Sequence, residues 1–129
     1  MKAFSNNSRF VETLEGRSLL STVITGDFNN DTRVDKAEVT SPTTITVSLQ
    51  NANGSYSVSA ILTTPKSRPV GSFLEARDLD GDGDLDIYTS GNINTNSWYT
   101  HRWLNNGNGT FGSITTDVFR FKPHSFDGF

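Results

Sequence analysis

Short segments rich in β-branched and aromatic residues recur along the chain after residue 20, and polar turn residues separate them. Segments of this composition favour the pleated, half-buried surface of a strand. They lie at 23–25, 44–49, 56–62, 73–76, 85–89, 98–104 and 110–114, with a further alternating piece at 118–121. Little of the sequence has helical periodicity. The pattern therefore predicts an all-β fold.

The strand series occurs twice, which indicates an internal repeat. The acidic loop that begins at Asp27 recurs at Asp78, and the Asn-Gly turn at Gly54 recurs at Gly109. The two turns are separated by slightly more residues than the two loops are. We expect the extra residues in a longer loop near 91–96. Asn-Gly favours the tight turn that joins antiparallel strands. Four antiparallel strands per unit at this period are typical of β-propeller blades.

The repeat predicts about two four-stranded blades, which form an open, incomplete propeller because closed rings need ~4–8 blades. The predicted organisation is a disordered leader at 1–20, a first blade at 21–64, a connector at 65–71, a second blade at 72–116 and a further strand at 117–129. A third acidic loop would begin near residue 129. We therefore expect a piece of a longer repeat protein, or self-association with other chains.

Composition excludes several classes of protein. The chain has 129 residues, 33% of them hydrophobic, a net charge of −3 and no cysteine. Disulfides and thiolate metal sites are therefore excluded. The chain has no Lys/Arg cluster of the kind that binds nucleic acid, so nucleic-acid binding is not expected. No apolar run approaches the ~18 residues of a membrane span.

Each repeat has a loop with oxygen-bearing side chains at alternate positions. The second loop offers Asp78, Asp80, Asp82, Asp84 and Asp86, and the first offers Asp27, Asn29, Asp31 and Asp35. Ca²⁺ takes ~6–8 oxygen ligands, and a tight turn lets side chains at alternate positions converge on one point. The carboxylates of the second loop repel one another, and that loop contains no basic residue. The pattern predicts calcium binding.

The run 73–88, followed by 103–111, resembles an FG-GAP/VCBS-type repeat. Such repeats are calcium-binding propeller blades of integrin α-subunit heads and of many bacterial surface proteins. The resemblance implies a Ca²⁺ ion in the loop between the first two strands of a blade, and an extracellular protein with an adhesive or ligand-interaction role. It implies side-chain oxygens from Asp78, Asp80, Asp82 and Asp86 with the Asp84 carbonyl, and in the first loop Asp27, Asn29, Asp31 and Asp35 with the Arg33 carbonyl.

The first loop departs from this pattern at two positions. Thr32 replaces the turn glycine, which predicts strain at a tight bend. Arg33 brings a positive charge beside the cation site.

Export is supported by Leu14–Ser21, which resembles a short leader of some bacterial surface proteins, although the N-terminus lacks the apolar core of a standard signal peptide.

A helical alternative is an EF-hand or dockerin module that mediates protein interaction. The first loop places Glu38 at position 12, where an EF-hand has its bidentate ligand. Against this alternative, a β-branched run follows the loop instead of a helix, and the second loop has Thr89 at the same position.

An enzyme is the other alternative. His101 and His124 have no nucleophile in a recognisable setting, and His101 is expected to pack on a strand face with Tyr99 and Trp103. The sequence therefore predicts no catalysis.

The aromatic residues could either pack in a core between the blades or form a platform on which carbohydrate stacks. The segment 106–111 faintly resembles a glycosidase Asp-box but lacks its Ser and Asp. Expected partners are calcium ions and a protein or carbohydrate ligand.

Overall fold

Two four-stranded antiparallel sheets make up the computed structural model, which describes residues 22–120. The first sheet contains β1 (Val23–Gly26), β2 (Asp35–Ser41), β3 (Thr44–Gln50) and β4 (Tyr56–Thr63), and the second contains β5 (Phe73–Arg77), β6 (Asp86–Asn94), β7 (Ser97–Trp103) and β8 (Thr115–Arg120). Strands that follow one another in the chain are neighbours in each sheet. Between residues 22 and 120 there is no helix. The all-β prediction is confirmed, and the sheets have the form of two open propeller-like blades. The predicted leader, the export motif and His124 lie outside the described residues.

The repeat is visible in the turn geometry of the two sheets. Asn53 Oδ1 accepts the backbone N–H of Ser55 at 3.0 Å and its hydroxyl at 2.6 Å. Asn108 Oδ1 accepts the same two groups of Thr110 at 3.0 and 2.6 Å. The two Asn-Gly turns that recur in the sequence are therefore turns of the same structure.

The last strand of the second sheet differs from the prediction. The predicted strand at 110–114 is wrong, since only an isolated bridge between Phe111 and Asn105 forms there and β8 begins at Thr115. The segment packs against the hydrophobic core instead, through Phe111 and Ile114. Just before it, the Gly109 carbonyl accepts the Ser59 hydroxyl of β4 at 2.8 Å. β8 crosses the boundary predicted at 116, and the domain boundaries themselves stay predictions.

The extra residues of the second repeat do not form a longer loop. They extend a hairpin, because β6 has nine residues whereas β2 has seven. Gly91 permits this extension, since a Cβ there would lie 2.5 Å from the Tyr99 hydroxyl. The expectation of a loop at 91–96 was wrong because Asn and Gly residues are tolerated here inside a strand.

The hydrophobic core lies between the two sheets. Its fully or nearly fully buried members are Phe28, Ala37, Ile45, Val47 and Leu62 from the first repeat and Ile87 and Trp103 from the second. Phe28 belongs to the first acidic loop and packs edge-on against Phe111 at 6.2 Å. The core therefore anchors that loop directly.

The connector is fastened to the second sheet. The Tyr99 hydroxyl donates to the Pro69 carbonyl at 2.7 Å, and His101 Nε2 lies 2.7 Å from the Arg68 carbonyl. A carbonyl can only accept, so Nε2 carries a proton. His101 is fully buried with ring centroids 5.1 Å from Tyr99 and 6.2 Å from Trp103, as the strand alternation predicted.

Candidate metal centre

The first aspartate of the second loop organises the loop backbone. Asp78 Oδ1 accepts the N–H groups of Gly81 at 2.8 Å and Asp82 at 3.2 Å, and Oδ2 accepts that of Gly83 at 2.8 Å. The Gly83 N–H, followed by the other donors, holds the pKa of Asp78 below its ordinary value. Gly81 and Gly83 have φ of 79° and 89°, which glycine adopts without steric cost.

Four carboxylates of this loop converge. Asp78, Asp80, Asp82 and Asp86 each offer an oxygen, and these oxygens lie within 4.8 Å of one another. Oxygens bound to one Ca²⁺ at about 2.4 Å are separated by at most about 4.8 Å, so the grouping has the size that one ion requires. The sequence-predicted side-chain ligands are therefore brought together.

The charge of this cluster is not balanced by a basic side chain in the described part of the chain. The ion pairs there are Arg33–Asp31 and Arg102–Asp117. Desolvation, and next the neighbouring Asp82, raise the pKa of Asp80 above its ordinary value. A carboxylate that resists ionisation beside other carboxylates is stabilised by a cation. The residues present fit a divalent metal ion.

The last acidic residue of each loop is also structural. Asp86 is fully buried and accepts the N–H of Leu79 and of Asn105, both at 2.8 Å. Its carboxylate ties the loop to the end of β7. Asp86 thus combines a predicted ligand role with a role in holding the loop on the sheet.

Asp84 stands apart from the four converging carboxylates. Its Oδ1 accepts the side-chain amide of Asn30, in the first loop, at 2.8 Å. Its side chain is therefore engaged with the first loop, and the ligand role of its carbonyl stays a prediction.

The first loop has the same backbone arrangement as the second, but non-glycine residues occupy its positions of positive φ. Asp27 accepts the N–H groups of Asp31 at 3.1 Å and Thr32 at 2.7 Å. Asn30 and Thr32 have φ of 62° and 69°, where the second loop has glycine. Asparagine tolerates this region, whereas a β-branched residue there is a genuine outlier. The strain predicted at Thr32 is therefore present.

The first loop also groups oxygen donors. Carboxylate oxygens of Asp27, Asp31 and Asp35 lie within 4.8 Å of one another. The Asn29 side-chain oxygen is buried and has no hydrogen-bond partner. A buried carbonyl oxygen without a donor is costly, and a cation would satisfy it. The first loop fits a metal ion on this observation.

Arg33 distinguishes the first loop from the second. Its guanidinium lies 2.9 Å from Asp31 Oδ2, and its own N–H donates to Asp31 Oδ1 at 2.9 Å. That N–H is the main reason why the pKa of Asp31 is lowered, and the guanidinium adds to the effect. A predicted ligand of the first loop is therefore already paired with a positive charge.

Sequence reasoning missed Asn105. This residue is buried, and its Nδ2 donates to the carbonyls of Phe28 at 2.7 Å and Leu85 at 2.8 Å, one in each acidic loop. Its Oδ1 accepts the N–H of Gly107 at 2.8 Å. The sequence holds one signal for this role: the two repeats differ at this position, just before the Asn-Gly turn. The first repeat has Gln50 there, whereas the second has Asn105.

The aromatic residues divide between two faces. Tyr99 and Trp103 are buried, as expected for inter-blade core. Trp98 stacks on Phe119, with centroids 5.3 Å apart and an angle of 22° between the rings, on the opposite face of β7. Trp98 and Phe119 therefore form a stacked pair on that face, and a carbohydrate-binding role of the aromatics stays a prediction.

Comparison with known proteins agrees with this geometry. A family model described as an FG-GAP-like repeat matches residues 27–89, from the first aspartate of the first loop into β6. Residues 27–89 are therefore similar to an FG-GAP-like repeat, which supports the resemblance seen in the sequence. The helical EF-hand alternative is wrong for the described residues, because β2 and β6 follow the two loops. No curated protein and no solved structure matches the chain. Within residues 22–120 no helix has the length and apolar character needed to cross a membrane.

Proposed function

We propose that this chain is a calcium-binding repeat module of an exported surface protein. Its role is structural, in support of adhesion or ligand interaction, and not catalytic. The observation that carries the proposal is the convergence of the carboxylates of Asp78, Asp80, Asp82 and Asp86 on a region with the dimensions of one ion. The FG-GAP-like match over both acidic loops supports the same assignment.

Calcium suits these loops better than other common metals. All the donors are oxygens, which excludes the nitrogen and sulfur ligands that zinc favours. Mg²⁺ demands near-ideal octahedral geometry and keeps several waters, whereas Ca²⁺ accepts irregular sets of carboxylates and carbonyls. In the second loop Asp78, Asp80, Asp82 and Asp86 would hold the ion with the Asp84 carbonyl. In the first loop Asp27, Asn29, Asp31 and Asp35 would hold it with the Arg33 carbonyl.

The bound ion would neutralise the loop and join two strands. Asp78 directly follows β5 and Asp86 begins β6, so ligands at the two ends of the loop fix the pairing of those strands. A ligand that binds only the folded state stabilises it by ~2.7 kcal/mol at a concentration one hundred times its dissociation constant. For about 100 residues this raises the melting temperature by roughly 10 °C or more.

The exported location and the interaction role are supported by the FG-GAP-like repeat, and the proposed calcium binding agrees with an extracellular setting. Calcium loops of modest affinity are filled outside the cell, where free Ca²⁺ is high. The partner would be a protein or carbohydrate ligand at the cell surface.

Thermal melts of the purified chain in EDTA, in millimolar Ca²⁺ and in millimolar Mg²⁺ test the calcium assignment. We expect a large increase in melting temperature with Ca²⁺ and a small one with Mg²⁺. Equal melts in all three solutions would reject calcium binding. Protease treatment of intact producing cells tests the location separately: we expect degradation of the chain, and full protection would reject export.

A further inference from the structure

The Asp84 carboxylate lies at a junction between the two repeats. Asp84 Oδ1 accepts the Asn30 amide at 2.8 Å, and Asp84 N donates to Asp82 Oδ1 at 2.9 Å. Gly107 closes the other side, since a Cβ there would lie 3.0 Å from Asp84 Oδ2. The side chain of Asp84 is thus held by the first loop, and its backbone N–H is held by its own loop.

Asn30 is itself fixed in place. It adopts the left-handed conformation with a φ of 62°, and its amide group also donates to the Gly107 carbonyl at 3.2 Å. Two residues earlier, Phe28 is fully buried and its carbonyl accepts the Asn105 amide at 2.7 Å. The same Asn105 amide nitrogen reaches the Leu85 carbonyl at 2.8 Å. The first loop is therefore attached to the second loop at Asp84 and, through Asn105, at Leu85.

We propose that Asn30 is a positioning residue for the cation site of the second loop. By holding Asp84 from the neighbouring sheet, it fixes the loop backbone between Asp82 and Asp86, two of the converging carboxylates. The inference rests on the proposed calcium function for its effect on affinity. Its effect on the order of the loop does not require calcium. The affinity of the second site then depends on the docking of the two sheets.

The substitution Asn30→Gly tests this inference, because glycine accepts the positive φ and removes only the amide. We expect the calcium dissociation constant of the second loop to increase about three- to thirtyfold, the usual range of coupling between linked sites. In EDTA we expect faster hydrogen exchange at the amides of Gly83 and Asp84. The control Asn96→Gly removes an exposed asparagine at the β6–β7 turn, the far end of β6 from the loop, and should change neither quantity.

A double-mutant cycle with Asp84→Ala separates positioning from general stability. If Asn30 acts through Asp84, the double variant binds calcium no more weakly than Asp84→Ala alone. Additive losses would overturn the inference. So would an Asn30→Gly variant with a lower melting temperature but unchanged affinity and unchanged exchange in the second loop. If the wild-type chain binds no calcium, the proposed function fails, and the exchange measurement in EDTA still decides the role of Asn30.

Discussion

Asp35 and Asp86 occupy the same place in the two sheets and make the same pair of hydrogen bonds. Each is fully buried, and each accepts one N–H from the second residue of its own loop and one from a residue at or just beyond the end of its third strand, all at 2.8 Å. A buried carboxylate that satisfies two backbone donors holds the structure together even before a cation is considered. The predicted ligands therefore differ in what their removal does.

Replacing Asp86 should destabilise the chain with or without calcium. The variant Asp86→Ala leaves the buried N–H groups of Leu79 and Asn105 without an acceptor, which costs about 2–5 kcal/mol in the free energy of unfolding. Thermal or denaturant unfolding in EDTA measures this loss. Asp80→Ala, which removes an exposed carboxylate of the same loop, is the control and should not lower stability in EDTA. An Asp86→Ala variant that unfolds like wild type in EDTA would contradict the structural role.

The substitution Asp80→Asn should have opposite effects in the absence and presence of calcium. Desolvation and then Asp82 raise the pKa of Asp80, so the folded protein binds a proton there more tightly than the unfolded chain. The stability contributed by that proton is present below the unfolded pKa and is lost as pH rises through the folded pKa. At neutral pH the carboxylate therefore destabilises the calcium-free protein, and a neutral amide in its place would relieve this.

Melts at neutral pH measure this reversal. We expect Asp80→Asn to melt above wild type in EDTA and below it in millimolar Ca²⁺, where a ligand is missing. In EDTA the variant should also lose less stability than wild type as pH rises from the acidic range. A variant that melts at or below wild type in EDTA would show that Asp80 carries no unbalanced charge in the folded chain, and one that melts above wild type in both solutions would show that Asp80 is not a calcium ligand.

Thr32→Gly should stabilise the chain. Thr32 has a φ of 69°, and a β-branched residue in that region carries ~1–3 kcal/mol of strain, part of which the greater unfolded-state entropy of glycine offsets. A net gain of about 1 kcal/mol is expected by denaturant unfolding. The reciprocal variant Gly83→Thr, at the equivalent position of the second loop with a φ of 89°, should destabilise. A loss of stability in Thr32→Gly would mean that the threonine side chain contributes more than its backbone strain costs.

Arg33→Asp should increase calcium affinity in the first loop. Arg33 occupies the position that Asp84 has in the second loop, and its guanidinium lies 2.9 Å from Asp31. A positive charge several ångströms from an ion near the surface opposes binding by about 1–3 kcal/mol, so its removal should tighten binding about fivefold or more. Calorimetry of Arg33→Asp combined with Asp80→Ala/Asp82→Ala isolates the first loop. The matched control Arg102→Asp alters a paired arginine on β7 and should leave the affinity unchanged.

The sequence was sufficient for the local features that recur in it. The β-branched segments predicted most strands. The recurrence of the acidic loops and of the Asn-Gly turns predicted that Asp27 and Asp78, and the two turns, have the same local structure. Alternation also placed His101 on the face of Tyr99 and Trp103. Each of these inferences depends on neighbours in the chain or on the regular geometry of a strand.

Contacts between the two repeats were beyond such reasoning. The segment 110–114 has strand-like residues, yet it packs on the hydrophobic core and pairs only through Phe111, because tertiary contacts override local propensity. The bonds of Asn30 to Asp84 and of Asn105 to Phe28 join residues 54 and 77 positions apart. Nothing in the periodicity of the chain specifies which asparagine of so many is buried between the loops.

Calorimetric titration of Ca²⁺ into wild type and into Asp80→Ala/Asp82→Ala tests the central claim most directly. Asp117→Ala, which removes a partly exposed carboxylate on β8 far from the loops in sequence, is the control for loss of negative charge. We predict saturable binding to wild type and to the control, and loss of the tighter binding event in the double variant. Absence of binding to wild type at millimolar Ca²⁺, or unchanged binding to the double variant, would contradict the assignment of the second loop as the calcium site.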